Sequence, residues 1–252
     1  MKRIFIFLLL LSILVVPISA KNENIYSWYC VRNKTHTQPI LDSDMKFIEE
    51  YNGYYVDKKY NNSNDKVLYL TFDFGYENGN VEKIVDIMKQ EDVVGSFFIL
   101  DNVIYKNTDL INKIADNGNL ICNHTAKHVD ITKLSLDELK EELNSLEYLY
   151  KEKTGREMLK YFRPPEGKFT LNNMIDLKKL GYKTVFWSFA YEDWDNNKQM
   201  PPEKAKEKIL SNVHNGAIIL LHPTSATNAL ILSDIIKELK VEGYEFKTLG
   251  NL

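Results

Sequence analysis

From residue 66 to the C-terminus the chain alternates short apolar runs with stretches of helical periodicity. Residues 67–72 form a β-rich run, and 81–90 place Val81, Ile84, Val85, Ile87 and Met88 at helical spacing. A second strand is predicted over 95–100, a helix over 108–117 stopped by Gly118, and a third strand over 119–122. The clearest helix spans 135–153. Ser135 and Glu138 make a capping box at its start, and Leu136, Leu139, Leu143, Leu146 and Leu149 form its apolar stripe. Further strands are predicted at 161–162, 183–187, 216–221 and within 244–249. Between them lie helices over 171–180, from Pro201-Pro202 to about residue 214, and over 226–240.

Seven short strands separated by helices imply a mostly parallel sheet, because parallel neighbours need crossover connections. The strands are apolar on both faces, as in a barrel wall. The expected class is α/β, with 67–252 as one domain. Residues 21–66 are polar and weakly periodic, and read as an N-terminal extension wrapping that core, with a short helix over 44–51. Residues 1–20 have the layout of a secretory signal peptide: Lys2 and Arg3, an apolar run, then Pro17-Ile18-Ser19-Ala20. Cleavage after Ala20 is expected, with an uncleaved membrane anchor as the alternative. Either way the protein is exported.

Composition narrows the partners. The 252 residues carry a net charge of −3 with both signs mixed along the chain, so neither a nucleic-acid footprint nor an acidic tail is present. Tyrosine is plentiful, with 15 residues, many outside apolar runs, which suits a groove that stacks on sugars as well as an ordinary surface. Cys30 and Cys122 are expected to stay as thiols rather than form a disulfide.

The candidate chemistry falls at strand ends. Asp73 follows the first strand, His124 and His128 the third, Arg163 the fourth, Asp193 and Trp194 the fifth, and His222 ends the sixth. Each has a plain structural alternative. Asp73 could cap a helix, the two histidines four apart could pack on one side of a helical turn, and Arg163 could brace a loop. Asp193-Trp194 could be an exposed turn, and His222 a satisfied core histidine. Together, however, they share the C-terminal rim of a βα barrel, from which catalytic residues are drawn. The set suits metal-assisted hydrolysis: imidazoles for a divalent ion, a carboxylate to take the water proton, and a histidine to protonate the leaving nitrogen.

The ordered motifs Thr71-Phe72-Asp73, His124-Thr125-Ala126-Lys127-His128, Arg163-Pro164-Pro165-Glu166-Gly167, Asp193-Trp194 and Leu221-His222 resemble those of the polysaccharide deacetylases. The resemblance implies a distorted seven-stranded (β/α) barrel. Finer wording is similar to the delta-lactam-biosynthetic deacetylases: Asp73 through Gly79, Trp187 through Trp194, and Leu220 through Ser225 with Asn228. That subfamily removes acetate from N-acetylmuramic acid in spore-cortex peptidoglycan, and the freed amine closes to muramic-δ-lactam. The resemblance implies Asp73 as base, His222 as acid tuned by Asp193, Arg163 as brace of Asp73, and His124 and His128 as metal ligands. It assigns Trp194, Leu221, Tyr76, Pro164 and Gly167 to the substrate pocket. Phe74 stands where the wider family has a metal-binding Asp, so the metal, with zinc first among candidates, rests on fewer protein ligands. The implied partners are peptidoglycan glycan strands, for a monomer functionally coupled to a muramoyl amidase. The alternatives are deacetylation of N-acetylglucosamine polymers and an inactive sugar-binding module.

Overall fold

The computed structural model describes residues 23–31, 33 and 35–252; the signal segment lies outside the described residues. Strand β1 (Tyr26–Ser27), helix α1 (Phe47–Glu50) and strand β2 (Gly53–Tyr54) come from the stretch before the core. The core follows as β3 (Lys66–Phe74), α2 (Asn80–Gln90), β4 (Gly95–Ile99), α3 (Asp101–Lys106), α4 (Thr108–Asp116), β5 (Leu120–Asn123) and α5 (Leu136–Thr154). Then come β6 (Tyr161–Phe162), β7 (Lys168–Phe169), α6 (Leu171–Lys179), β8 (Lys183–Val185), α7 (Pro202–Leu210), β9 (Ala217–Leu221), α8 (Ala226–Val241) and β10 (Tyr244–Phe246).

The seven predicted strands are β3, β4, β5, β6, β8, β9 and β10, and every pairing among them is parallel. The sheet curls so that β3 pairs with β4 on one edge and β9 on the other. Between β8 and β9 the seam is held by a single bridge, Phe189 to Ile219, with Ser188 N–H donating to Ile218 O at 2.9 Å and Leu220 N–H to Phe189 O at 2.9 Å. This is a distorted (β/α) barrel.

Strand alternation sorts the side chains into two sets. Val67, Tyr69, Phe98, Cys122, Tyr161, Val185 and Ile218 pack together as the barrel filling. Leu68, Leu70, Phe72, Phe97, Ile99, Ile121, Ile219 and Leu221 pack outward under the helices. That parity decides which residue at each strand end turns inward.

Several local expectations change. The helix expected over 108–117 is preceded by α3, and α7 ends at Leu210 rather than near residue 214. Helix α5 is as expected in its ends and most of its stripe: the capping box at Ser135 and Glu138 is formed, Gly155 ends the helix in a left-handed conformation at φ 72°, and Leu139, Leu143, Leu146 and Leu149 are buried, but Leu136 in its first turn is exposed. The stretch before the core does more than wrap it. Gly53–Tyr54 extends the sheet beside β8, and Tyr26–Ser27 pairs antiparallel with Lys168–Phe169. Among the described residues no helix is long and apolar enough to cross a membrane.

Candidate active site

Continuing the inward parity past the strand ends gives Asp73 after Tyr69 and Thr71, His124 after Cys122, Arg163 after Tyr161, and His222 after Ile218 and Leu220. All four converge at one end of the barrel. There a cleft of about 620 Å³ is lined by residues that include Asp73, Tyr76, His124, His128, Pro164, Gly167, Trp194 and His222.

Arg163 lies fully buried beneath it. Its Nη1 donates to Asp73 Oδ1 at 2.6 Å, its Nη2 to Thr71 Oγ1 at 2.8 Å, and its Nε to Val185 O at 3.0 Å. The guanidinium stacks 4.2 Å over the Phe98 ring. Burial alone would raise the pKa of Asp73. The charge of Arg163 and its hydrogen bond, with the His124 and His222 imidazoles nearby, outweigh it and hold the carboxyl below its ordinary range. Asp73 is therefore ionised at neutral pH.

His124 Nδ1 faces the Arg163 carbonyl at 2.8 Å, so that nitrogen carries the proton and Nε2 keeps its lone pair. Nε2 stands 3.7 Å from Asp73 Oδ2. Burial pushes the His124 pKa down to about 4, which keeps the ring neutral. His128 reaches the same place through a loop rather than a helical turn. Thr125 and His128 take left-handed φ values of 64° and 56°, and the two imidazole centroids come within 5.0 Å. Asn123 fixes the entry to this loop: its Oδ1 accepts from Thr125 N–H at 2.9 Å while its Nδ2 donates to Leu143 O at 3.0 Å. Phe74 is buried edge-on against Phe97 and offers no ligand atom. Among the described residues no group of three or more His, Cys, Asp or Glu is arranged to hold a metal. The pair that does meet, the imidazoles of His124 and His128, offers nitrogen donors that could serve a divalent ion.

On the opposite wall His222 Nδ1 meets Asp193 Oδ1 at 2.7 Å, and the His222 backbone N–H donates to Asp193 Oδ2 at 2.7 Å. Burial disfavours the imidazolium, but the Asp193 hydrogen bond and charge, with Asp73 adding to them, raise the His222 pKa above its ordinary value. Since Nδ1 is taken by Asp193, Nε2 is the proton-bearing atom available to the cleft.

Tyr76 and Trp194, 49% and 57% exposed, stand at the mouth, and Asn196 Nδ2 donates to Tyr76 Oη at 2.6 Å across the rim. Gly167 is required for two reasons: its φ is +65°, and a Cβ there would meet Trp187 at 2.9 Å and Trp28 at 3.0 Å. Leu221 is displaced from the pocket role expected of it. It turns outward into the core, and its neighbour Leu220 lines the cleft, as strand parity requires. Trp187, Tyr191 and Glu166, which lie within the quoted motifs without an assigned role, also line the cleft, and Asn228 is buried beside Asp193.

Residues 60–185 match the polysaccharide deacetylase family. The chain belongs to that family. It is 39% identical to the peptidoglycan-N-acetylmuramic acid deacetylase PdaA of Bacillus subtilis over 92% of this chain and 86% of that protein. The solved structure of PdaA, a family 4 carbohydrate esterase, superposes with a TM-score of 0.85, covering 90% of this chain and 96% of that one at 36% identity. A family 4 carbohydrate esterase from Bacillus anthracis gives a TM-score of 0.74 at 34% identity, over 91% of this chain and 96% of that one. A peptidoglycan-N-acetylglucosamine deacetylase of Bacillus cereus is 29% identical over 75% of this chain and 89% of its own length. The deacetylase is thus a hydrolase of a metal-dependent family.

Proposed function

We propose that the protein is an exported de-N-acetylase of N-acetylmuramic acid in peptidoglycan, whose product amine closes to muramic-δ-lactam in the spore cortex. One observation carries the chemistry: an ionised carboxylate and an imidazole of raised pKa line one cleft from paired strands, each locked by its own buried partner. Relatedness supports the substrate, since identity to the muramic acid deacetylase is higher and covers more of the chain than identity to the glucosamine one. The signal-like residues 1–20 and the cell-wall relatives support export, with 21–66 as an extension of a catalytic domain over 67–252.

Asp73 accepts a proton from water as the water oxygen adds to the acetamide carbon. The C–N bond then breaks as the nitrogen takes the proton on His222 Nε2, leaving acetate and a free amine. An amine anion leaves too poorly for the reaction to run without that proton. His124 and His128 would hold a divalent ion, zinc by preference for imidazole, which when bound supplies positive charge to polarise the amide carbonyl and acidify water. Arg163 keeps Asp73 ionised and aimed. Trp194 and Tyr76 offer aromatic faces to the sugars at the mouth.

The test is acetate release from peptide-free glycan strands. Wild type releases it, while Asp73→Asn and His222→Ala lose at least about 100-fold. Equal release by the variants would refute the assigned roles. Mass spectrometry of the product separates the substrates: only a muramic acid amine can lose water to its lactyl group. Deacetylated glucosamine without lactam would move the reading to N-acetylglucosamine.

A further inference from the structure

Behind Asp193 lies a buried polar chain that no step above uses. Asn228, in the first turn of α8, is 1% exposed. Its Nδ2 donates to Asp193 Oδ2 at 2.6 Å and to the His222 carbonyl at 3.1 Å. Its Oδ1 faces the Tyr191 hydroxyl, which is also buried. A carboxylate and a carbonyl both demand a donor, so the amide can sit only one way round, and the hydroxyl of Tyr191 must donate to Oδ1. The Asn228 backbone N–H in turn donates to Ser225 Oγ at 3.1 Å, which anchors the residue in the α8 cap.

Asp193 Oδ2 thus receives two hydrogen bonds, from the His222 backbone and from Asn228, and these leave Oδ1 directed at His222 Nδ1. Without Asn228 the hydrogen bonds left to the carboxylate among the described residues are those with His222 itself. Resting on the assignment of His222 as the proton donor, we infer that Asn228, oriented by Tyr191, is a positioning residue that locks the Asp193 carboxylate on His222 and fixes which imidazole nitrogen faces the substrate.

Asp73 and Arg163, of opposite sign, also act on His222, and the hydrogen bonds of Arg163 and Asp73 run to each other and to Thr71, Val185 and Phe186 rather than to Asn228. Since the direct bond of Asn228 to His222 is to the backbone carbonyl, an effect of Asn228 on the imidazole runs through Asp193.

The experiment pairs kinetics with nitrogen NMR of the His222 imidazole in the full-length enzyme. In Asn228→Ala, kcat for acetate release is expected to fall roughly 10- to 100-fold with KM little changed. The alkaline limb of the rate profile moves to lower pH, and His222 loses its preference for the Nδ1–H tautomer. Tyr191→Phe produces a smaller shift in the same direction. In an Asp193→Asn background, Asn228→Ala costs no further activity, because the group it positions has lost its charge. Additive losses in that cycle, or a His222 pKa and tautomer unmoved by Asn228→Ala, would overturn the inference and leave Asn228 as a cap of α8. A rise in the His222 pKa would also overturn it, since the amide would then only be draining charge from Asp193. The NMR arm needs no turnover. Absent deacetylation in wild type would sink the functional reading, while an unmoved imidazole would sink only this one.

Discussion

In the proposed reaction His222 must carry a proton in a place where burial alone would strip it. Asp193 reverses that preference, so the acid form persists to higher pH than in a free imidazole. The sign of the pH dependence follows. With His222 as the proposed acid, activity needs the protonated ring and is lost as pH rises through the raised pKa. Asp193→Asn removes the hydrogen bond to a charge and leaves burial, which lowers the pKa. The alkaline limb of kcat should therefore move to lower pH, with a fall of about 100-fold or more at neutral pH. A pH–rate profile in which only the height changes and the limb stays in place would separate Asp193 from proton transfer. The proposed base behaves in the opposite sense. Asp73 is held below the usual carboxylate range by Arg163, so no acidic limb from this group is expected near neutrality.

At the scale of elements, the rim was legible because strands and their ends are local features. The apolar runs marked β3, β5, β6 and β9, and a polar residue directly after each marked Asp73, His124, Arg163 and His222. Leu221 shows what one missing step costs. The period of two that put Ile218 and His222 inward also puts Leu220 inward and Leu221 outward. The His124 to His128 loop could not be read from spacing. Its form depends on left-handed backbone at Thr125 and His128, and on Asn123 bridging to α5. Gly167 tests a loop of the same kind. Gly167→Ala must adopt a left-handed φ and push against Trp187 and Trp28, so it should destabilise by about 1–3 kcal/mol and lower activity as the Trp187 wall shifts. Ser135→Ala, at the exposed cap of α5, should cost about 1 kcal/mol and leave turnover intact. Denaturant unfolding with parallel acetate assays checks both. Equal activity in the two variants would mean that the Gly167 turn does not shape the cleft.

The whole molecule assembles what no segment holds alone. Asp73 comes from β3, the imidazoles from the loop after β5, Arg163 from the end of β6, and Asp193 with His222 from the far side of the β8–β9 seam. Tyr191 and Asn228 meet across 37 positions of sequence, and Gly53–Tyr54 joins the sheet beside β8; such contacts leave no periodic trace in the chain. Metal binding should register this assembly as stability. An ion that binds the folded site and not the unfolded chain stabilises by mass action, roughly 2.7 kcal/mol at 100 times its Kd. For a chain of this size that is a rise of several degrees in Tm, at about 2–4 °C per kcal/mol. With Phe74 in place of a carboxylate ligand, the proposed ligands His124 and His128 would carry the protein's share of nitrogen donors, and loss of either should abolish the effect. The expected result is a Tm that rises with added zinc in chelator-treated wild type and stays flat in His124→Ala and His128→Ala, with bound zinc by elemental analysis following the same pattern. A zinc-dependent rise of equal size in both variants would place the ion elsewhere on the protein, and the imidazole pair would then serve only to pack the loop against Asp73.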